Sequence, residues 1–425
     1  MQLTELYKIY RQHPSIKTDT RSLQPDDLFF ALKGPSFNGN HFAGAALEAG
    51  AAYAIVDEYS GEANERMILV ADVLSTLQAL AKMHRQQFNI PFIGITGSNG
   101  KTTTKELAHA VLSTTFKTYT TEGNLNNHIG VPLTILKIKE DAEMAIIEMG
   151  ANHLKEIEGY CEYAMPTHGL ITNCGKAHLE GFGSEEGIRR GKGELFDYLR
   201  AHDGTAFVMK DYDYLAEMSR GIHQVITYGT ANADITGKVV SNGDLLEVAI
   251  SNGPAAGKVY TKLVGDYNLP NVLSAIAIGH YFKVPAEKIK AALENYTPSN
   301  SRSQLIKKDG NTIILDAYNA NPSSMKVAVE NFARMEGKDK VLLLGAMMEL
   351  GKESSKEHEA LVDLLQQFQW RSVVLVGGDF KNIQHPFIYF DTAAAAKEWL
   401  KQQALDHATI LVKGSRSIKM ESVLD

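Results

Sequence analysis

The run IPFIGITGSNGKTTTKE, residues 90–106, constrains what this chain can fold into more than any other stretch. Apolar residues through Ile95 read as a buried strand, Gly97 and Gly100 punctuate a tight loop, and Thr102 to Leu112 keep a helical spacing of apolar positions. A strand feeding a glycine-rich loop into a helix is a phosphate site. The helix start presents backbone N–H groups and a positive dipole end, glycine lets the backbone wrap an anion, and Lys101 adds a mobile positive charge. Thr102 then offers a hydroxyl to Mg²⁺. The motif is GxxGK[ST] rather than the longer GxxxxGK[ST]: Ile95 stands where the longer form has glycine, and a further glycine sits at 94. ATP is the expected ligand, and the loop alone leaves open what it is used for.

A chain of 425 residues is too long for one ordinary core and points to roughly three domains of about 150 residues each. With 44% hydrophobic and 22% charged residues, large cores can be built. The net charge of −7 gives no long-range attraction to nucleic acid or anionic lipid, so phosphate binding must be local and the partners small molecules. Cys161 and Cys174 form neither a disulfide framework nor a zinc spacing. The opening MQLTELYKIYRQHPSIKTD has no apolar core of signal-peptide length, and no apolar run is long enough to span a bilayer. A cytoplasmic monomer without membrane insertion is the expectation.

Strand and helix patterns alternate in three blocks. From Thr18 to Val70, LFFAL and AYAIVD flank the helical GNHFAGAALEAGA. From Ile90 to Asn173, FIGIT, FKTYTT, EMAIIEM and GLITN are separated by helices, which argues a doubly wound, mostly parallel sheet with ligands at the carboxyl ends of its strands. After Thr297-Pro298-Ser299-Asn300 a second alternating series begins, TIILDAY, KVLLLGA, SVVLVGG and TILVKGS, a Rossmann-like unit. The expected class is therefore α/β in three domains, 1–85, 86–299 and 300–425.

Polar residues fall at expected strand ends near the phosphate loop. Glu148 closes EMAIIEMG, a suitable place for a carboxylate that holds Mg²⁺. His178 lies in the loop after GLITN and Lys192 in the following helix; on pattern alone they read as a solvent-exposed histidine and a helical surface lysine.

The ordered set TGSNGKTTTKE, GNLNNHIGVPLTIL (123–136), EMGANHLKEIE (148–158), ITNCGKAHLEGFGS (171–184) and GKGE (191–194) resembles the Mur ligase family. LDAYNANPSSM (315–325), MELG (348–351) and KGSRSIKME (413–421) narrow the resemblance to the member that adds a dipeptide, and TDTRSLQPDDLFFALKGPSFNGNHFA extends it to the N-terminal region. The resemblance implies a small N-terminal domain gripping a UDP-sugar, a central ATPase and a C-terminal domain for the incoming dipeptide. The implied substrates are UDP-N-acetylmuramoyl-tripeptide and D-alanyl-D-alanine. ATP would phosphorylate the tripeptide carboxylate, and the dipeptide amine would then displace phosphate from the acyl phosphate.

By the same resemblance Gly97, Ser98, Asn99, Gly100, Lys101, Thr102 and Thr103 hold ATP phosphates. Thr102 and Glu148 serve one Mg²⁺, His178 serves a second, and Lys192 matches a lysine that is carbamylated in the family. Asn268 and Asn271 fit the adenine side, where Tyr267 replaces a frequent histidine, and Arg302 reaches the phosphates. Thr20, Arg21, Asn40 and His41 match the uridine segment, and Asn124, Asn126, Asn127 and His128 match the sugar-nucleotide loop. Asp316, Tyr318, Asn319, Asn321 and Ser324 match the dipeptide and catalytic cleft, with Asp316 a catalytic candidate; Lys413, Ser415 and Arg416 resemble a terminal cleft motif. Ala346 departs from the usual acidic residue, leaving open whether Glu349 or His358 compensates. The rivals are a sibling that adds the third amino acid, for which the DNPR-like segment is replaced here by YNANPSS, folate polyglutamate ligases, which lack the N-terminal nucleotide-sugar segment, and a nucleotide-binding module without catalysis.

Overall fold

A computed structural model describes residues 1–59, 64–240, 243–254, 257–299, 301–337 and 339–425. Asn300, the first residue of the expected C-terminal domain, lies outside the described residues. The chain divides into two compact units, one of Met1–Gly94, Phe116–Ala151 and Lys155–Gly169, the other of Ile95–Thr115, Asn152–Leu154 and Leu170–Asp425. The class is α/β, with mostly parallel sheets.

The first unit opens with a parallel sheet ordered Ile16–Lys17, Leu28–Phe30, Tyr53–Val56, Met67–Leu69. Leu28–Phe30 is buried at every position, as a strand covered on both faces must be. The expected helix GNHFAGAALEAGA starts later than its pattern. Asn38 accepts the Asn40 N–H and winds Gly39–Phe42 into a 3₁₀ turn, so the α-helix is Ala43–Glu48. Ala43, Ala46 and Leu47 of that helix pack on Phe29, Ala54 and Val56. Helices Leu3–Gln12 and Val73–Arg85 were not among the expected elements. The second is capped by Asp72, whose carboxylate accepts the Ser75 N–H at 2.6 Å, and packs on helices Gly130–Leu136 and Glu156–Ala164.

The largest sheet runs, in hydrogen-bonded order, Gly257–Val264, Leu245–Asn252, Ile235–Val239, Gln224–Gly229, Thr205–Met209, His168–Ile171, Phe92–Thr96, Met144–Glu148, Thr118–Thr120. The four expected strands are all present. Beyond them, Thr205–Met209, Gln224–Gly229 and Ile235–Val239 pair parallel, and the sheet then turns antiparallel through Leu245–Asn252 and Gly257–Val264. Those last two strands alternate covered and exposed positions, the mark of a sheet with one wet face. A search for continuous apolar runs passes over them.

The C-terminal sheet is ordered Gln304–Lys308, Asn311–Asp316, Thr409–Lys413, Lys340–Gly345, Ser372–Val376, Ile388–Phe390. All pairs are parallel except the first, a hairpin closed by Asp309 and Gly310 at φ +49° and +75°. Asp-Gly between two β-patterned runs is a strong hairpin signal that the alternating reading overlooked. Lys340–Gly345 is buried throughout, and Ile313, Leu315, Leu343, Val374, Val376, Ile410 and Val412 form the core beneath the helices.

Burial lowers the imidazole pKa of His168, at the start of its strand, from 6.5 to about 4. The unfolded chain therefore binds a proton that the folded chain refuses, and stability contributed in full above about pH 6.5 is lost as pH falls towards about 4. We expect the drop in unfolding free energy between about pH 7.5 and about pH 5, read from urea midpoints, to shrink by about 1 to 2 kcal/mol in His168→Gln. An equal drop in both proteins would remove His168 as its source.

Candidate active site

Strand Phe92–Thr96, buried at all five positions, delivers the chain into the turn Gly97–Gly100, and helix Lys101–Leu112 follows. Gly97 has φ +140°, and a Cβ there would lie 2.0 Å from Thr172 Oγ1; Gly100 has φ +81°, with Asn271 Oδ1 at 2.7 Å from the equivalent position. Both conformation and space demand glycine. The helix takes Gly100 as its N-cap without a side-chain cap, which sets the positive end of its dipole at the turn. Lys101 Nζ folds over the turn to Gly97 O at 2.7 Å and Ser98 O at 3.2 Å.

The back of the turn is fastened to residues 172–175. Ser98 N–H donates to Asn173 O at 2.8 Å and Ser98 Oγ to Gly175 O at 2.6 Å. Asn99 N–H donates to Asn173 Oδ1 at 3.2 Å, and Asn99 O accepts from Thr172 Oγ1 at 2.6 Å and Asn173 Nδ2 at 3.0 Å. Sequence reasoning used Thr172 and Asn173 only as a strand end; their side-chain role follows from their place at the carboxyl end of their strand, beside the turn.

On the expected adenine side, Thr104 Oγ1 donates to Asn271 Oδ1 at 3.1 Å, Asn271 Nδ2 to Asn268 Oδ1 at 2.8 Å, and Asn268 Nδ2 to Val264 O at 2.8 Å. This buried relay braces the phosphate-side helix against helix Leu269–Tyr281. Tyr267, which stands where the family often has histidine, is half-buried. Its hydroxyl meets Ser303 Oγ at 3.2 Å, and burial, reinforced by the charge of Asp316, pushes the phenol pKa up.

Glu148 is 1% exposed. Its carboxylate accepts Asn126 Nδ2–H at 2.7 Å, and its own N–H donates to Thr121 Oγ1 at 3.0 Å. Asn126 also accepts the Gly150 N–H at its carbonyl, Asn124 O accepts the Asn126 N–H, and Asn127 Oδ1 receives the Ile129 and Gly130 N–H groups at a helix start. His178 and Lys192 are not the surface residues their patterns suggest. His178 adopts φ +54° and places Nδ1 2.5 Å from Glu349 Oε2, and that contact holds the Glu349 carboxyl below the usual range. Lys192 is 1% exposed on helix Glu185–Ala201, with Nζ 4.9 Å from the Phe182 ring centroid. Burial pushes the Cys174 thiol up to about 12, against the opposing charges of Lys192 and Arg189.

In the C-terminal sheet, Asp316 and Lys413 are register partners at the ends of adjacent parallel strands, and Lys413 Nζ lies 2.6 Å from Asp316 Oδ2. Ser303 N–H donates to Asp316 Oδ1 at 3.1 Å. Tyr318 lies under two guanidinium groups, Arg302 at 3.6 Å and Arg416 at 5.6 Å from its centroid. Arg302 Nε is buried and makes no hydrogen bond among the described residues. Asn319 is exposed, its Oδ1 accepting the Ala320 N–H, and Asn321 and Ser324 form a reciprocal cap on helix Pro322–Arg334. The backbone beside Ala346 is met by His358, whose Nε2 accepts the Met347 N–H at 3.0 Å while Nδ1 donates to Ser354 O; Glu349 turns instead to His178. Ser415 Oγ accepts the Met348 N–H.

Within the N-terminal sheet region, Asn40 is fully buried, with Nδ2 donating to Asn38 Oδ1 and Asp57 Oδ1 and Oδ1 accepting the Asp57 N–H. Arg21 is exposed and forked onto Asp19, which also caps the turn carrying Thr20; His41 is exposed.

The fold and this turn define an α/β protein of the kind that seats phosphate at a strand–glycine loop–helix junction. Residues 14–87 match the Mur ligase family, catalytic domain; residues 95–279 the Mur ligase middle domain; and residues 301–416 the Mur ligase, glutamate ligase domain. The chain is 35% identical over 423 residues, 96% of its length and 92% of the relative's, to UDP-N-acetylmuramoyl-tripeptide–D-alanyl-D-alanine ligase of Bacillus subtilis. MurF of Acinetobacter baumannii superposes with a TM-score of 0.88 at 30% identity, covering 96% of this chain and 92% of that one. MurF ligase of Thermotoga maritima, solved in complex with ADP, gives 0.84 at 26% identity and covers 96% of each chain. This chain belongs to the Mur ligase family.

Gly97→Ala sets a methyl group against Thr172 Oγ1 in a left-handed backbone. We expect its affinity for ADP, measured by calorimetry, to fall at least about tenfold while the far-ultraviolet spectrum is kept. Wild-type affinity in that variant would take the turn out of nucleotide binding.

Proposed function

We propose that this chain joins D-alanyl-D-alanine to the terminal carboxylate of UDP-N-acetylmuramoyl-tripeptide at the expense of ATP, in cytoplasmic synthesis of the peptidoglycan precursor. The observation that carries this reading is the phosphate-cradling turn at 97–101 in a chain that matches ligases of that name along nearly its whole length. Two free, buried cysteines and the lack, among the described residues, of a helix long and apolar enough to cross a membrane are compatible with the setting. The working division is 1–85 for the UDP-sugar, 86–299 for ATP and 300–425 for the dipeptide.

A carboxylate resists nucleophilic attack because of its charge. In the first step its oxygen takes the γ-phosphoryl group, the bond to ADP breaks, and the carbonyl carbon becomes electrophilic. The dipeptide amine then attacks that carbon, loses a proton, and expels phosphate. The protein supplies no nucleophile of its own. Its work is to bind, orient and offset charge. Gly97, Ser98, Asn99, Gly100, Thr102 and Thr103 present the turn and first helical amides to the phosphates, with Lys101 moving from its loop carbonyls onto them. The buried, unmatched Nε of Arg302 fits an anionic partner, and its guanidinium is already oriented by the Tyr318 ring. Asn268 and Asn271 would shape the adenine side through their buried relay, Tyr318, Asn319 and Ser324 would serve the dipeptide side, and Thr20, Arg21, His41, Asn124, Asn126 and Asn127 the UDP-sugar side, with buried Asn40 bracing the turn before His41. Asp316, held by Lys413 and the Ser303 amide, would set local charge near the reacting groups, a role that its paired carboxylate supports.

Among the described residues no three His, Cys, Asp or Glu side chains gather into a metal centre of their own. Mg²⁺ is commonly held by one or two carboxylates together with substrate phosphates, and Glu148 supplies a 1% exposed carboxylate at a strand end. When bound, two Mg²⁺ ions offset charge on the transferring phosphoryl group. By the family resemblance, Thr102, Glu148, His178 and Lys192 would hold them. A cation is costly at the 1% exposed position of Lys192, and CO₂ addition to its neutral amine, with loss of a proton, would turn it into an oxygen donor suited to a hard ion.

Supplied with the UDP-tripeptide and ATP, the protein is expected to give a product whose mass corresponds to D-alanyl-D-alanine out of a panel of amines. A single amino acid taken up equally well would transfer the assignment to a sibling. Lys192→Ala is expected to lose nearly all turnover, regain part of it with small carboxylic acids, and lose the carbamate carbon signal seen with ¹³C-labelled CO₂; unchanged turnover excludes Lys192 from the mechanism.

A further inference from the structure

The amide of Asn321 is committed at both ends. Its Oδ1 accepts the Ser324 N–H at 2.9 Å and Ser324 Oγ accepts the Asn321 N–H at 3.0 Å, the reciprocal cap at the start of helix Pro322–Arg334. That cap fixes which way the amide faces. Nδ2 is left pointing at Asn99 Oδ1, 2.7 Å away, inside the phosphate turn and two residues before Lys101. Asn321 is only 8% exposed, so little of it is left to touch a ligand.

Asn99 is otherwise held from one side. Its backbone N–H and C=O are fastened by Thr172 and Asn173, and its side-chain oxygen by Asn321. The next residue but one repeats the arrangement, because Ser323 Oγ accepts the Lys176 N–H at 2.8 Å, in the loop that leads to His178. One helix start, directly after the segment Tyr318–Asn319, thus grips both loops of the nucleotide side.

We infer that Asn321 is a positioning residue for the phosphate turn, acting through Asn99, and not a contact for the amine substrate. This rests on the reading that the turn at 97–101 binds the ATP phosphates. With Asn321 in place, the Asn99 side chain is held back from the anion and the Gly97–Gly100 backbone keeps its amides converged. Without it, the turn must be ordered when nucleotide arrives, and affinity falls by the worth of the lost hydrogen bond.

Asn321→Ser separates the two functions of the side chain, since a serine hydroxyl caps a helix start but is too short to reach Asn99. ADP affinity, measured by calorimetry without any amine present, is expected to fall about three- to tenfold in Asn321→Ser, with KM for ATP rising in step. KM for D-alanyl-D-alanine and the melting temperature are expected to stay at wild-type values. Asn99→Ala should behave likewise, and the double variant should bind ADP no worse than the weaker single one. Unchanged ADP affinity with a raised dipeptide KM would overturn the inference and return Asn321 to the amine site. Additive losses in the double variant would also overturn it, because the effect would not pass through Asn99. Asn321→Thr, an equivalent cap, serves if the serine variant does not fold. A wild-type chain that binds no ADP would defeat the nucleotide reading itself, a result distinct from either of these.

Discussion

The structure depends on a turn whose backbone no side chain but hydrogen permits. Gly97 and Gly100 have positive φ, and their missing Cβ atoms leave the space occupied by Thr172 Oγ1 and Asn271 Oδ1. Each of those contacts belongs to a wider brace, the first to the loop 172–175, the second to the relay Thr104–Asn271–Asn268. Strand Phe92–Thr96, buried throughout, feeds the turn, and residues 172–175 fasten it from behind. Amides arranged in this way need little reorganisation to receive a triphosphate, which is the physical meaning of a preorganised site.

The turn and its strand and helix were legible in the sequence because glycine, lysine and threonine spacing is local. So were the three strands Thr118–Thr120, Met144–Glu148 and His168–Ile171 of the same sheet, of which Met144–Glu148 is an apolar run buried at every position. What stayed hidden needed information that is not local. Lys192 has the polarity of a surface residue, and only the fold shows that its helix turns it inward beside Phe182. His178 meets Glu349 across more than one hundred and fifty residues of sequence, and Asn99 meets Asn321 across a greater separation. The antiparallel strands Leu245–Asn252 and Gly257–Val264 were missed for another reason, since their alternation carries fewer apolar residues per strand.

The departures from the family pattern have local solutions. Tyr267 is half-buried with its hydroxyl on Ser303, and the backbone beside Ala346 is met by the His358 ring, neutral and fixed in one tautomer by bonds at both nitrogens. The polar groups at the carboxyl ends of the C-terminal strands are instead paired across strands and helix starts, as in Asp316 with Lys413. Removing one partner of such a covered pair leaves an uncompensated charge, so these residues constrain one another more than their individual identities imply.

The hairpin at Asp309–Gly310 places Gln304–Lys308 on the outer margin of the C-terminal sheet, with Lys307 and Lys308 both exposed. An unpaired strand margin is a template on which another molecule's strand can be laid down, and fibrous association begins in that way. Two adjacent ammonium groups make that docking repulsive between identical molecules. Exposed charge on that antiparallel margin therefore disfavours the edge-to-edge pairing of two copies.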